Sequence, residues 1–225
     1  MDLFDKVPAQ PVNKVPAQPV NIAEGAILLS GFALHHEAQL LLDLKYILSL
    51  SPLRNMVTLG GHTMSVAMTN CGDLGWVSDK KGYRYDALDP NTGAPWQAMP
   101  LSFLALAKQA ANETGYSNFV PDACLINQYK IGARMSLHQD KDEQDFSRPI
   151  VSVSLGISAT FLFGGLKRSD KPTKILLNHG DVIVWGGKSR LNYHGVMPLK
   201  VTNLQTIGHA AFGAYRFNLT FRKAG

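Results

Sequence analysis

The sequence predicts a mixed α and β fold that is mainly β. Past residue 121 the chain consists of short β-rich runs, which Gly, Asn, Asp and Pro separate at fairly regular intervals. Many short strands that close on themselves are typical of a sandwich, a barrel or a jelly roll. Before residue 121, two segments repeat apolar residues at helical spacing, and a turn-rich stretch lies between them. A length of 225 residues suits one domain with a good-sized core.

A tandem repeat opens the chain. Residues 6–13 read KVPAQPVN, and residues 14–21 repeat the same eight letters. The copy is too short for a solenoid unit and holds four of the twelve prolines, which favours a polyproline-like segment. We therefore expect residues 1–21 to be a disordered leader and residues 22–225 to form a single domain.

Two helices and a series of strands are predicted in chain order. The first helix carries an apolar stripe at Leu34, Ala38, Leu41, Leu44 and Leu48 and ends before Pro52. The turn-rich stretch of residues 59–95 predicts short hairpins. The second helix begins after Pro100 and ends at Gly115. The predicted strands are residues 124–129, 149–163, 174–177, 182–185, 191–194 and 215–222.

Composition excludes several classes of protein. Hydrophobic residues make up 45% and charged residues 17%, which excludes a disordered or supercharged chain. No apolar run reaches the roughly 18 residues of a membrane span, and the N-terminus lacks the features of a secretory signal. We therefore expect a cytoplasmic protein with no membrane partner, whose two cysteines, Cys71 and Cys124, are reduced thiols in the core. The net charge of +5 permits an anionic partner without requiring one.

A candidate metal site involves His138, Asp140 and His194. On a strand, residues i and i+2 point to the same face, so His138 and Asp140 would lie side by side. A histidine from a later strand would complete two imidazoles and one carboxylate, which bind Fe(II) and leave positions open for substrate and oxygen. The His-x-Asp pair alone is weak, since a surface histidine beside an acidic turn gives the same letters.

The last predicted strand alternates polar and apolar residues. Arg216, Asn218 and Arg222 share one face with Thr220. Periodicity alone favours a half-buried strand with its polar face in water. Two arginines and an asparagine on one face would also bind a small dianion, because a guanidinium holds a carboxylate with two hydrogen bonds. The strand at 124–129 offers Asn127 and Tyr129 on a matching face, although an ordinary strand would show the same pattern.

The stretch of residues 76–85 interleaves three aromatic residues with three cations, a composition typical of a surface on which bases stack beside phosphate contacts. A surface hairpin with its aromatic residues on one face is the alternative.

Long ordered motifs resemble the AlkB family of dioxygenases, and its bacterial members most. They are NQYKIGARMSLHQDKDE (127–143), RFNLTFR (216–222), PDAC (121–124), VSVSLG (151–156), FGGLKR (163–168), WGGKSR (185–190), MSVAMTNCG (64–72) and GW (75–76). The likeness runs from about Gly25 to the C-terminus and does not cover the leader.

The resemblance implies a double-stranded β-helix, or jelly roll, in residues 121–225. Residues 22–120 would supply N-terminal helices and a nucleotide-recognition lid of hairpins. The implied activity is oxidative demethylation of bases such as 1-methyladenine and 3-methylcytosine in DNA. It uses Fe(II), O2 and 2-oxoglutarate, releases formaldehyde, succinate and CO2, and repairs the alkylated base by direct reversal. The implied partner is single-stranded DNA or a base flipped out of a duplex, with RNA left open, and we expect a monomer.

The resemblance also implies residue roles. His138, Asp140 and His194 would bind the iron. Arg216, helped by Tyr129 and Asn218, would hold the distal carboxylate of 2-oxoglutarate, while Arg222 and Asn127 would lie near its chelating end. Trp76 would stack on the base, with His138 on the opposite face, and Tyr83 would touch phosphate. The remaining residues of the substrate groove would be Met68, Thr58, Arg134, Met135, Ser136 and Arg168.

Asp142 is the candidate for lesion specificity. Methylation at N1 of adenine or N3 of cytosine makes the base cationic, and a nearby carboxylate would attract it and accept a hydrogen bond from its amino group. A solvated acidic turn is the alternative for Asp142.

Two other functions stay open at this point: a 2-oxoglutarate oxygenase that hydroxylates a protein or a small molecule, and a non-catalytic module that binds nucleic acid or metal. The chain departs from the family in its longer apolar connection between Leu199 and Arg216 and in Ile131 before Gly132, where proline is frequent.

Overall fold

The predicted mainly β fold is confirmed by a computed structural model, which describes residues 18–200 and 210–225. The strands are β1 (Val20–Ala23), β2 (Ala26–Leu29), β3 (Arg54–Val57), β4 (Thr63–Gly72), β5 (Gly75–Asp79), β6 (Gly82–Asp86), β7 (Ala123–Tyr129), β8 (Met135–His138), β9 (Ile150–Gly156), β10 (Ala159–Phe163), β11 (Thr173–Leu177), β12 (Val182–Trp185), β13 (His194–Val196) and β14 (Arg216–Arg222). The α-helices are α1 (Glu37–Leu50) and α2 (Leu101–Glu113). Short 3-10 helices lie at Phe32–His36, Gly187–Ser189 and Ala210–Phe212.

Two antiparallel sheets build the jelly roll. The larger sheet has eight strands in the order β1-β2-β12-β9-β14-β7-β4-β3, and the smaller has four in the order β11-β10-β13-β8. The pair β5–β6 forms a separate two-stranded hairpin, which we call the lid hairpin. The non-sequential strand order means that successive strands cross between sheets, as in a jelly roll.

The larger sheet is covered on both faces, and β14 shows how. Phe217, Leu219 and Phe221 pack in one core with the apolar faces of α1 and α2. The alternating residues Arg216 and Arg222 point to the other face, toward the smaller sheet, and are 1% and 5% exposed. The prediction that this polar face would lie in water is therefore wrong, because the smaller sheet covers it.

The helices occupy the predicted segments with a different buried stripe. Leu40, Leu44 and Ile47 are the fully buried residues of α1, whereas Ala38 is exposed. The apolar run LLLDLKYILSL offers more than one helical stripe, and packing against the larger sheet selects one of them. On α2, Phe103, Leu106 and further alanines face the same core.

Some strand boundaries correct the sequence prediction. The predicted strand 149–163 divides into β9 and β10, which belong to different sheets. The division follows Gly156, whose φ is +84° and whose Cβ, if present, would lie 2.3 Å from the carbonyl oxygen of Tyr215. The predicted strand 191–194 is a turn that becomes β13 only at His194. In this turn, the side chain of Asn192 donates to Ser189 Oγ at 3.2 Å and keeps the segment before β13 bent.

The sequence prediction missed four strands, β1, β2, β3 and β8. Strands β2 and β8 pair with the distant strands β12 and β13, whereas β1 and β3 pair with the strands that follow them. Strand β1 begins at Val20, two residues inside the predicted leader, because it pairs with β2 at the edge of the larger sheet. Otherwise the division into leader, lid region and core stays a prediction. The apolar connection noted between Leu199 and Arg216 lies largely outside the described residues, and from its described part Phe212 is fully buried.

Candidate active site

The two predicted metal-binding histidines lie directly opposite each other on paired strands. His138 ends β8 and faces His194, the first residue of β13, and their ring centroids are 4.4 Å apart. Asp140 follows two residues after the strand ends, with Oδ1 3.6 Å from His138 Nε2 and Oδ2 3.7 Å from His194 Nε2. The three side chains offer ligand atoms that all lie within 4.8 Å of one another. Because Asp140 lies beyond the end of β8, the shared strand face assumed for His138 and Asp140 does not explain their proximity, but the three side chains converge as expected.

Backbone carbonyls fix how the two imidazoles are presented. His138 Nδ1 donates to the carbonyl oxygen of Ser136 at 2.9 Å, and His194 Nδ1 donates to that of Asn192 at 3.0 Å. Carbonyl oxygens only accept hydrogen bonds, so each Nδ1 carries the proton and each Nε2 lone pair is free for a metal. Burial lowers the pKa of His194 to about 4, which keeps that imidazole neutral.

Arg222 keeps the carboxylate of Asp140 ionised. Burial alone would raise the pKa of Asp140, but the charge of Arg222 and its hydrogen bonds hold that pKa well below the usual range. Arg222 Nε and Nη2 donate to Asp140 Oδ2 at 3.0 and 2.6 Å. Two imidazoles and one ionised carboxylate are the donor set that non-haem Fe(II) oxygenases use, so the residues present fit an iron ion.

Arg216 has the features of an anchor whose anion is missing. The guanidinium is fully buried, donates from Nη2 to Ser154 Oγ at 2.9 Å, and has no described partner for Nε or Nη1. Burial lowers its pKa to about 10, and the nearby Tyr129 and Asp181 offset this effect only in part. Asn127 Oδ1 is a second buried atom without a described partner. The unpaired Arg216 donors fit a carboxylate of 2-oxoglutarate, whereas Asn127 Oδ1 is an acceptor that requires a donor.

The residues predicted beside Arg216 are brought next to it. Tyr129 is its neighbour across β7 and β14, with the guanidinium 6.0 Å from the ring centroid. Asn218 pairs with Asn127, and its amide donates to Ser152 Oγ and the Val153 carbonyl oxygen. Because those amide protons are in use, Asn218 supports the pocket wall rather than offering a free donor.

The buried phenol of Tyr129 gives a prediction for alkaline pH. Burial, partly offset by Arg216, raises its pKa to about 12, whereas an unfolded chain releases this proton near pH 10. The stabilisation from the folded-state phenol is therefore complete below pH 10 and is lost as pH rises through 12. We expect wild type to lose up to about 3 kcal/mol relative to Tyr129→Phe over this interval. Urea unfolding of both proteins between pH 9 and 12 measures it, and parallel pH profiles would contradict it.

An open cleft of about 790 Å³ leads to His138 and Asp140. All nine residues predicted to bind substrate line it, namely Thr58, Met68, Trp76, Tyr83, Arg134, Met135, Ser136, Asp142 and Arg168. They come from β4, the lid hairpin, β8 and the loops near them, which only the fold brings together. The hairpin and the acidic turn thus border the cleft, although Tyr83 and Asp142 are both exposed, as the alternatives of a surface hairpin and a solvated turn also expect.

Several contacts orient Trp76 over the cleft. Its backbone N–H donates to Asn70 Oδ1, and its carbonyl oxygen accepts from Asn70 Nδ2, both at 3.0 Å. The indole stacks on Tyr83 with centroids 5.7 Å apart, and Nε1 donates to Asp142 Oδ2 at 2.8 Å. The fully buried Asn70 thus substitutes for a neighbouring strand and places the indole at the mouth of the cleft.

Sequence reasoning missed three further cleft residues with specific contacts. Tyr85 and Glu143 bond each other at 2.8 Å near Arg222, and Tyr193 packs under the Arg168 guanidinium at 5.9 Å. Tyr85 belongs to the aromatic stretch already noted and Glu143 follows Asp142, so both stood within motifs of interest. Tyr193 had no local signal beyond its position before His194.

Together, the jelly roll and its cluster of two histidines and one carboxylate define a non-haem Fe(II) oxygenase. Comparison with known proteins agrees: the sequence family described as the 2OG-Fe(II) oxygenase superfamily matches residues 25–222. The alpha-ketoglutarate-dependent dioxygenase AlkB of Salmonella typhimurium is 57% identical over 203 residues, covering 90% of this chain and 92% of that protein. The chain therefore belongs to the 2OG-Fe(II) oxygenase superfamily and, within it, to the AlkB dioxygenases.

Two more distant relatives agree with this assignment. The nucleic acid dioxygenase ALKBH1 of Mus musculus is 36% identical over 124 residues, covering 55% of this chain and 31% of that protein. The solved structure of OsALKBH1 superposes with a TM-score of 0.74 at 29% identity, covering 92% of this chain and all of that one.

The protein is thus an Fe(II)- and 2-oxoglutarate-dependent dioxygenase that uses O2. Among residues 18–200 and 210–225, no helix is long and apolar enough to cross a membrane.

Proposed function

We propose that this enzyme demethylates N-alkylated bases in DNA and thereby repairs alkylation damage directly. Its AlkB relationship and one geometric observation support the proposal. A single cleft joins His138 and Asp140 of the metal cluster to Trp76 and Asp142 at the mouth. A target methyl group would therefore reach the metal while an aromatic ring and a carboxylate contact the same base.

The proposed roles of the metal-site residues follow from their contacts. His138, Asp140 and His194 hold Fe(II), and Arg216 with Tyr129 holds the distal carboxylate of 2-oxoglutarate. Bound iron and 2-oxoglutarate supply the oxidation by O2 that removes the methyl group as formaldehyde and leaves succinate and CO2. The chain itself orients these groups and excludes water, since Arg216, His194 and Asn127 are buried.

The cleft residues have proposed roles toward the nucleic acid. A base must be single-stranded or flipped out of a duplex for its methyl group to reach the metal cluster, because the target atom is inaccessible in a stacked duplex. Trp76 and His138 would then contact its two faces, as aromatic side chains do in stacking sites. Arg134, Arg168 and Tyr83 line the cleft mouth, where phosphates would pass. Binding should therefore weaken with added salt. RNA, a monomeric state and a cytoplasmic location stay predictions from the sequence.

Turnover on single-stranded oligonucleotides carrying 1-methyladenine or 3-methylcytosine tests the proposal. The expected result is equal amounts of formaldehyde and succinate, each dependent on iron, 2-oxoglutarate and the methyl group. Succinate without formaldehyde would point to hydroxylation of another substrate. If neither formaldehyde nor succinate forms, the protein would be a non-catalytic binding module. Either of these outcomes would overturn the proposal.

Replacing Asp142 by alanine should separate two classes of lesion. The carboxylate is proposed to attract a cationic base, and a hydrogen bond to a charged group contributes about 1.5 to 3 kcal/mol. We therefore expect kcat/KM to fall about 10-fold or more on 1-methyladenine and 3-methylcytosine but less on neutral 1-methylguanine. Kinetics on the three lesions measure the difference.

Two variants serve as controls for this prediction. Asp145→Ala removes an exposed carboxylate outside the cleft. It should leave the ratio of kcat/KM on cationic lesions to kcat/KM on 1-methylguanine unchanged. Trp76→Phe removes the indole N–H that donates a hydrogen bond to Asp142 but keeps the carboxylate. It therefore separates the loss of this hydrogen bond from the loss of the negative charge. Equal losses on cationic and neutral lesions in Asp142→Ala would remove the charge argument.

A further inference from the structure

Glu143 is a buried carboxylate to which the proposed reaction gives no role. Its side chain is 2% exposed. Tyr85 Oη donates to Glu143 Oε1 at 2.8 Å, and Arg222 Nε lies 3.3 Å from the same oxygen. Arg190 Nη2 lies 3.1 Å from the other oxygen. A carboxylate this far from water needs compensating cations and donors, so its surroundings are specific.

The same two arginines contact Asp140. Arg222 donates twice to Oδ2 of Asp140, and Arg190 Nη1 donates to its backbone carbonyl oxygen at 2.8 Å. The other carboxylate oxygen, Oδ1, faces His138 Nε2 instead. Glu143 therefore shares each guanidinium with Asp140, and Arg222 contacts only one of the two oxygens that Asp140 could offer to a metal.

The contacts continue to the lid hairpin. Tyr85 lies on β6 directly opposite Trp76 on β5. A continuous series of side-chain contacts thus runs from Tyr85 through Glu143 and Arg222 to Asp140. The element that carries Trp76 and the carboxylate of the metal cluster are therefore held in one buried network.

We propose that Glu143 is a positioning residue that couples the lid hairpin to the metal site. It draws part of the positive charge of Arg222 away from Asp140, so that the arginine orients this carboxylate without competing with the metal for both oxygens. Tyr85 completes the arrangement by donating to the oxygen that Glu143 turns toward Arg222. The proposal rests on the proposed role of Asp140 as a metal ligand.

Titration of the metal-free protein with Co²⁺ tests the coupling without turnover. Glu143→Gln should weaken Co²⁺ binding about 10- to 100-fold, the range found for groups that orient metal ligands. Tyr85→Phe, which removes one hydroxyl, should weaken it several-fold and shift the visible absorption of the bound Co²⁺. Tyr116→Phe is the matched control, because it removes a partly buried hydroxyl that donates to the Gly25 carbonyl oxygen at 2.8 Å. Its Co²⁺ affinity and spectrum should equal those of wild type.

Amide hydrogen exchange provides the reciprocal measurement, because coupling must act in both directions. Co²⁺ should slow exchange in the lid hairpin of wild type and have less effect there in Tyr85→Phe. If wild type binds Co²⁺ and demethylates, unchanged Co²⁺ affinity and spectrum in both Glu143→Gln and Tyr85→Phe would overturn the coupling role of Glu143. The proposed function would then still stand. Losses in Tyr116→Phe equal to those in Tyr85→Phe would also overturn it. A wild type that binds no Co²⁺ would overturn the metal-ligand assignment as well.

Discussion

Replacing Arg216 by methionine is expected to stabilise the protein without ligands and to remove most of its stabilisation by 2-oxoglutarate. The guanidinium is fully buried, and two of its three nitrogens have no described partner. An apolar side chain of similar length removes this uncompensated charge. Replacing buried ionic groups in this way has raised unfolding free energies by about 1 to 4 kcal/mol. The co-substrate then meets no counter-charge, and losing one partner of a buried charge pair costs about 2 to 5 kcal/mol. We therefore expect 2-oxoglutarate affinity to fall about 30-fold or more.

Thermal and urea unfolding with and without 2-oxoglutarate measure both effects, with Mn²⁺ in place of iron to prevent turnover. Wild type should gain about 2.7 kcal/mol at 100 times its dissociation constant, and the variant should gain less than about 1 kcal/mol at that concentration. Arg148→Met is the control, because Arg148 is exposed and pairs with Asp145 at 3.4 Å. A variant that 2-oxoglutarate stabilises as much as wild type would contradict the anchor assignment.

Replacing His194 by alanine is expected to reduce turnover below detection. His194 presents a free Nε2 from a buried ring, and its removal leaves one imidazole and one carboxylate. Changes to groups that only orient metal ligands already cost 10- to 100-fold in affinity, so losing a ligand should cost more than about 100-fold. Co²⁺ titration and product formation measure the two losses.

His35→Ala removes an exposed imidazole outside the cleft and provides the comparison. It should keep both Co²⁺ affinity and turnover. Near-ultraviolet circular dichroism of His194→Ala establishes whether the variant is folded. A folded His194→Ala protein with wild-type product formation would exclude His194 from the metal site.

The sequence predicted the residue types of the site better than their surroundings. Alternation along β14 showed that Arg216 and Arg222 share a face, but not that the face is buried. Burial depends on the smaller sheet, whose strands come from β8, β10, β11 and β13. Such cover is a property of the whole topology, and no local periodicity contains it.

Long-range contacts explain the other omissions. The sequence indicated only an acidic turn at Glu143, because its hydrogen-bond partner Tyr85 lies 58 positions away in the chain. Strand β8 is short and is defined by its pairing with β13, so the four residues before Gln139 gave no strand signal. By contrast, both helices and the strand at β12 followed from apolar spacing and flanking proline or glycine, which are local signals.

The position of β14 between β9 and β7, near the middle of the larger sheet, has a consequence for how this enzyme can change. A central strand opens only when much of the domain unfolds, whereas a two-stranded hairpin at the periphery has few neighbours to restrain it. The proposed co-substrate anchor Arg216 is thus on a central strand, whereas the proposed base contact Trp76 is on a hairpin that belongs to neither sheet. Mutations in β5 and β6 that spare Tyr85 are therefore expected to change the range of lesions while Arg216 keeps its position.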